Sequence, residues 1–230
     1  MEIKNHHSWN LSPKEAVDLQ KRLASRVRLK GGKWAPKIVA GADISLQKKS
    51  SRAFAGVVLL KYPSMETLAR FTLEGEVTFP YVPGLLSFRE APLLLRLFKK
   101  VHPRPGLIFF DGQGLAHPRN FGLACHMGWI LDCPAIGCAK TRLVGNFDPP
   151  GEEKGSVSPL RDSDQRVIGA VVRSRERCKP IFISVGHKID LDTAVRRTLE
   201  CTASYRIPEP TRQAHNLVNE LRGRCEKKRG

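Results

Sequence analysis

Acidic residues are scarce in this 230-residue chain: 22 Asp+Glu stand against 39 Lys+Arg, a formal net charge of +17. Such a field favours a polyanionic partner, with nucleic acid ahead of an anionic membrane, because no basic amphipathic stretch reads as a membrane anchor. Solvated charge that only keeps the chain soluble is the plainer alternative. CxxC pairs are missing among the six cysteines, which argues against a zinc ribbon and leaves free thiols in a reducing, cytoplasmic setting as the expectation. No apolar run approaches bilayer length, and the opening MEIKNHHSWN lacks an apolar h-region, so no span and no secretory signal is expected. His6 and His7 read as a loose terminus rather than a metal site. Internal repeats and a domain boundary are absent too. One domain over 1–230 is expected, with an N-terminal helix inside 1–30 packed on it and a frayed basic tail at 223–230.

What is present begins with GLIFFDGQGL at 106–115. Four apolar residues, Leu107 to Phe110, suit a strand buried on both faces. Asp111 falls at its carboxyl end, where ligands collect in sheets covered by helices on both sides. Gly112 and Gly114 let a ligand approach the main chain. A turn aspartate bonding its own backbone is the bland alternative.

Around it the chain reads as an α/β protein. Residues 12–28 predict a helix, with Ser12 and Glu15 as a capping box, Pro13 in the first turn and a stripe of Ala16, Leu19, Leu23 and Val27. A loop follows at 31–37. Lys37–Leu46, Ala53–Tyr62 and Leu68–Val77 are strand-like with short polar links, which favours an antiparallel meander. Asp43 sits inside the first strand, where it either faces water or meets a cation. FPYVPG at 79–84 is stiffened by Pro80 and Pro83 around Tyr81, an aromatic that either probes between bases or packs the loop onto the core. Ser87 and Glu90 resemble a second capping box, but Pro92 would interrupt that first turn. A helix beginning near Pro92, with Glu90 just ahead of it, is the expectation.

A helix from about Pro118, a strand over Cys133–Cys138 ending toward Lys140, and a surface loop at 145–165 come next. Strands at Arg166–Arg173 and Ile181–Val185 and helices at Asp190–Ser204 and Thr211–Arg222 complete the chain. Thr211 is the expected cap of the last helix, and His215 flanks its stripe of Ala214, Leu217, Val218 and Leu221. If the strands carrying Asp43 and Asp111 are neighbours, two carboxylates converge, and a divalent cation between them relieves their repulsion. Oxygen ligands suit Mg2+ or Mn2+.

AGADIS at 40–45, FPYVPGLLSFREAP at 79–92, DGQGLAHPRNFGLACHMG at 111–128, GCAKTRL at 137–143, SVGHKIDLDTA at 184–194 and TRQAHNLVNELR at 211–222 together resemble the endonuclease V family. The resemblance implies a ribonuclease H-like fold: a mixed five-stranded core sheet, three antiparallel strands then parallel ones, with helices on both faces. It implies Mg2+-dependent cleavage, with Mn2+ as a substitute, of DNA containing deaminated bases. Hypoxanthine is the best-known target, and the cut falls at the second phosphodiester on the 3′ side. Asp43, Glu90 and Asp111 would be metal ligands. Lys140 and His215 would complete the catalytic set, Tyr81 would be the wedge that fills the gap of a flipped base, and Pro80, Gly84, Gly112, Gly114 and Leu143 would contact DNA. A monomer is expected. Inosine-containing RNA is the second substrate the family implies, and a non-catalytic basic module that binds flipped bases remains open from the charge alone. Three acids along a polyanion's path tell against that last reading unless metal neutralises them.

Overall fold

A computed structural model describes residues 3, 6–30, 35–47 and 50–227. Of the expected loop at 31–37, residues 31–34 lie outside the described residues, as do 228–230 of the tail. α1 (Pro13–Ala24) begins as its sequence reads: the Glu15 backbone N–H donates to Ser12 Oγ, and the Ser12 N–H donates to the Glu15 carboxylate. It ends before the expected Arg28. His6 and His7 are packed rather than loose, with the His7 ring against Trp9 and 2.7 Å from His126.

β1 (Ile38–Leu46), β2 (Arg52–Lys61) and β3 (Glu66–Glu76) form the expected antiparallel meander. β4 (Leu107–Asp111) pairs parallel with β1, and β5 (Ala135–Ala139) parallel with β4. β6 (Val157–Arg161), β7 (Val167–Val172) and β8 (Ile181–His187) then join antiparallel, giving one sheet of eight strands in the order β3-β2-β1-β4-β5-β8-β7-β6. The five expected core strands are β3-β2-β1-β4-β5, and three further strands extend the sheet to eight. β6 lies inside the stretch expected to be surface loop. Its five residues alternate exposed and buried, and Pro159 sits on the outermost strand, where no ladder partner is lost.

α2 (Leu86–Phe98) and α3 (Leu123–Ile130) cover one face, meeting Ala40, Ala42, Ile108 and Phe110. α4 (Leu191–Glu200) and α5 (Glu209–Lys227) cover the other, meeting Val39, Val58, Leu107 and Phe109. α2 does not wait for Pro92. It starts at Leu86 and runs through the proline, and burial of Ala91, Leu93, Leu94, Leu95 and Leu97 outweighs the one lost ladder bond. Ser87 makes no cap; its hydroxyl meets His126 Nδ1 at 3.1 Å. α3 starts at Leu123, not Pro118, because the preceding turn is tied to β8 through Leu115 N–H on the Val185 carbonyl. α5 starts at Glu209, so Thr211 lies inside the helix and does not cap it. The helix continues to Lys227 through most of the expected tail, carried by the Glu220–Arg224 and Arg222–Glu226 ion pairs one turn apart.

Candidate active site

Asp43 and Asp111 meet because a parallel register puts them there. Ala42 pairs with Phe110, so the next residue on each strand is an aspartate. Both alternate with Val39, Leu107 and Phe109 and therefore face the α5 side of the sheet. β4 ends at Asp111, whereas β1 continues to Leu46 along β2, which leaves Asp43 partly buried within the sheet.

α5 lies tight against β1. A Cβ on Gly41 would fall 1.7 Å from the Pro210 carbonyl oxygen, so only glycine permits this approach. His215 follows on the same helix, and its Nδ1 lies 2.8 Å from Asp43 Oδ2 and 3.9 Å from Asp111 Oδ2. The Asn219 amide holds His215 Nε2 at 3.0 Å, and Ser45 Oγ donates to Asn219 Oδ1 at 3.1 Å. Lys140, just past β5, donates from Nζ to Asp111 Oδ2 at 2.6 Å. The Ile44 backbone N–H donates to the other oxygen of Asp43 at 2.7 Å.

Burial raises the Asp43 pKa, with Asp111 adding to the rise and the His215 and Ile44 hydrogen bonds opposing it. The bond to Asp43 raises His215 in turn, against burial and the Lys140 charge. Glu90 comes from α2, on the other face, and is buried at the edge of this cluster. Burial drives its pKa well above the usual carboxylate range, and the charges of Asp43 and Asp111 push the same way.

One oxygen or nitrogen from each of Asp43, Asp111 and His215 falls within 4.8 Å of the others. Hard oxygens on two strands that cannot separate, one of them desolvated, are a donor set that fits a divalent cation, and the cation would offset both burial and mutual repulsion. Glu90 stands outside this set of three but within reach of its field.

Beside the acids lies a cavity of about 340 Å³, the size of a small-ligand pocket. Asp111, Gly112 and Lys140 belong to its wall as well as to the acidic cluster or its border. Tyr81 and Gly84 line it from the 79–84 loop, and Leu143 from beyond β5. Tyr81 is 74% exposed, standing at the mouth rather than packing the loop down. Pro80 does not line this cavity but a neighbouring groove with Trp9 and Arg89. Gly114 is also absent from the wall: a Cβ there would lie 2.1 Å from the Val185 carbonyl oxygen, so its place is the contact with β8.

Gln20, Gln113 and His117 line the cavity and were not picked out by the sequence reading. Gln20 had a signal, since it stands at helical spacing among Ala16, Leu19 and Leu23, where an apolar residue is due. Gln113 and His117 lie inside the motif at 111–128, which assigned them no role of their own. Asn219 stands inside the motif at 211–222, one turn after His215, but was given no role.

Carboxylates on adjacent parallel strands with a lysine and a histidine, on a ribonuclease H-like sheet within a strongly basic chain, point to a metal-dependent nuclease. The endonuclease V family model matches residues 21–216. An endonuclease V from Dehalococcoides mccartyi is 47% identical over 96% of this chain and 99% of its own. The crystal structure of the Streptomyces avermitilis endonuclease V superposes with a TM-score of 0.90 at 39% identity, covering 95% of this chain and 96% of that one. A Ciona intestinalis endonuclease V, solved with DNA containing an inosine followed by a ribo-adenosine, gives 0.81 at 27% identity over 92% and 98% of the two chains. The chain belongs to the endonuclease V family and is an endodeoxyribonuclease.

Proposed function

We propose that the protein initiates repair of deaminated DNA. In this reading it flips hypoxanthine from a duplex and, with Mg2+, hydrolyses the second phosphodiester on the 3′ side, leaving a 3′-hydroxyl and a 5′-phosphate. The observation that carries the proposal is the shared wall: Asp111, Gly112 and Lys140 border both the acidic cluster and the cavity. A base held in the cavity therefore fixes how far along the strand the acids can reach. The binding of inosine-containing DNA by the Ciona relative supports the same choice of base.

Asp43 and Asp111, with Glu90 behind them, would hold the cation. When bound, a divalent cation supplies water activation at neutral pH and charge for the leaving oxygen. His215, bonded to Asp43, would assist the attacking water by holding or passing a proton. Lys140, bonded to Asp111, would stabilise charge on the scissile phosphate. Tyr81 would stack in the gap left by the flipped base, whose unpairing costs least at a mispaired lesion. Backbone N–H groups near Gly112 and Gly84 would read the base edge. A reducing, cytoplasmic setting suits the six unpaired thiols, and a monomer belongs to the same reading. Among the described residues no helix is long and apolar enough to cross a membrane.

The test is an end-labelled duplex with one hypoxanthine, incubated with Mg2+ or EDTA, beside Asp43→Ala. A single Mg2+-dependent product at the second bond, lost in the variant, supports the reading. Tight, salt-sensitive binding without a cut would refute it in favour of a binding module. Cleavage of an inosine-RNA strand in preference to the DNA duplex would move the substrate to RNA.

A further inference from the structure

Gln20 is fully buried on α1, yet its amide makes its hydrogen bonds outside its own helix. Nε2 donates to the carbonyls of Gly84 at 3.1 Å and Phe121 at 3.0 Å. Oε1 accepts from Arg119 Nε at 2.6 Å. Arg119 Nη2 also donates to the Gly84 carbonyl, at 2.7 Å, and His117 Nε2 does so at 2.9 Å. Three donors from two parts of the chain thus converge on one carbonyl oxygen.

That oxygen is the end of the Tyr81 loop. Gly84 has φ +79°, and a Cβ on it would lie 2.6 Å from Arg119 Nη2, so both the turn and the bound guanidinium require glycine. Pro80 and Pro83 stiffen the segment between, so where Gly84 is held determines where the exposed Tyr81 ring stands over the cavity. Gln20 precedes the residues that the family model matches.

We propose that Gln20 is a positioning residue for lesion recognition, clamping the Tyr81 loop at Gly84 together with Arg119. The proposal rests on the wedge reading of Tyr81 given above. A loop held in place before DNA arrives loses less freedom on binding, so the clamp acts on affinity for the lesion more than on the chemical step. It makes α1, which the sequence assigns to packing, part of the recognition surface.

Two variants test it. Gln20→Leu removes all three bonds at similar volume. Gln20→Glu keeps the acceptor for Arg119 but sets an oxygen against two carbonyls. Amide exchange of the segment 79–88, read by mass spectrometry on the free protein, is expected to quicken about tenfold in both while β1 and β4 keep their protection. In single-turnover cleavage of the hypoxanthine duplex, the half-saturating enzyme concentration is expected to rise about tenfold, with the saturated rate changing by less than roughly threefold. Unchanged exchange in both variants overturns the clamp. Faster exchange with unchanged half-saturation overturns its part in recognition. Lost protection across β1 and β4 as well assigns Gln20 to general packing and also overturns the proposal. A wild type that leaves the lesion duplex intact refutes the proposed function separately, and the exchange arm then still decides on the clamp.

Discussion

Gly41→Ala tests whether the seating of α5 on β1 is what assembles the catalytic cluster. The added Cβ would lie 1.7 Å from the Pro210 oxygen, 2.2 Å from its carbonyl carbon and 2.9 Å from its Cα, all backbone atoms that no rotamer change can move aside. An ordinary carbon–oxygen contact is about 3.3 Å, so the helix must lift by roughly 1.5 Å or β1 must bend. Overpacking of this kind costs about 3 kcal/mol, which for a chain of this length lowers the melting temperature by roughly 6–12 °C. The same shift carries His215 away from Asp43, a bond of 2.8 Å. A displacement of about 1 Å in a catalytic constellation costs about a hundredfold in rate. The assay is thermal unfolding by circular dichroism beside single-turnover cleavage well below the variant's melting point. Gly112→Ala is the stability control, because its Cβ would meet Leu123 Cδ2 at an ordinary 3.5 Å, and it is expected to melt with the wild type. A Gly41→Ala protein that melts and cuts like the wild type would refute the close approach of α5.

Tyr81→Ala is expected to weaken lesion binding by about 1–3 kcal/mol in a gel-shift titration, the worth of one base–aromatic stack, without moving the melting temperature, since the ring is 74% exposed. Equal loss of affinity for plain duplex would refute the wedge. Lys140→Met is expected to slow cleavage by about 10²–10³-fold while costing at most about 1 kcal/mol of stability, because the Lys140–Asp111 pair is partly exposed. Stability is expected to fall as pH drops from about 6.5 toward 4, because burial and the Arg119 charge lower His117 to about 4 and hold it neutral, whereas the unfolded chain takes up the proton. His117→Gln should remove up to about 3 kcal/mol of that dependence in urea titrations run at each pH; parallel pH curves for the two proteins would contradict it.

The two strands that matter most were legible, and their partnership was not. IVAGADISL and LIFFD each read as a strand with an aspartate, because apolar patterning is local. That Ala42 pairs with Phe110 is a choice between segments more than sixty residues apart, which periodicity does not encode; the combination of motifs supplied it. Around Pro92 local propensity misled. Proline disfavours a helix interior, but here buried leucines override that preference, and Glu90 lies within α2 rather than ahead of it. β6 escaped because five residues with a proline carry too little pattern beside the Gly- and charge-rich loop that holds them. The net charge of the tail suggests fraying, but its spacing favours helix: Glu220 with Arg224 and Arg222 with Glu226 stand one helical turn apart.

What joins the cavity to the acids is the end of one strand. β4 delivers Asp111 to the acids and, without a break, Gly112 and Gln113 to the cavity wall. Gln113 donates to the Thr141 carbonyl, next to Lys140, and Lys140 closes the path back to Asp111. The cavity wall and the acidic cluster therefore share the short stretch Asp111–Gln113, tied by side-chain hydrogen bonds to the segment at Lys140 and Thr141. In the proposed reaction, a cut at a set number of bonds from the lesion would follow from that shared stretch. The same argument explains the acids in so basic a chain. Long-range attraction brings DNA to the surface, and in the proposed reaction only a base seated in the cavity would bring its phosphate to the place where Asp43, Asp111 and Glu90 stand together.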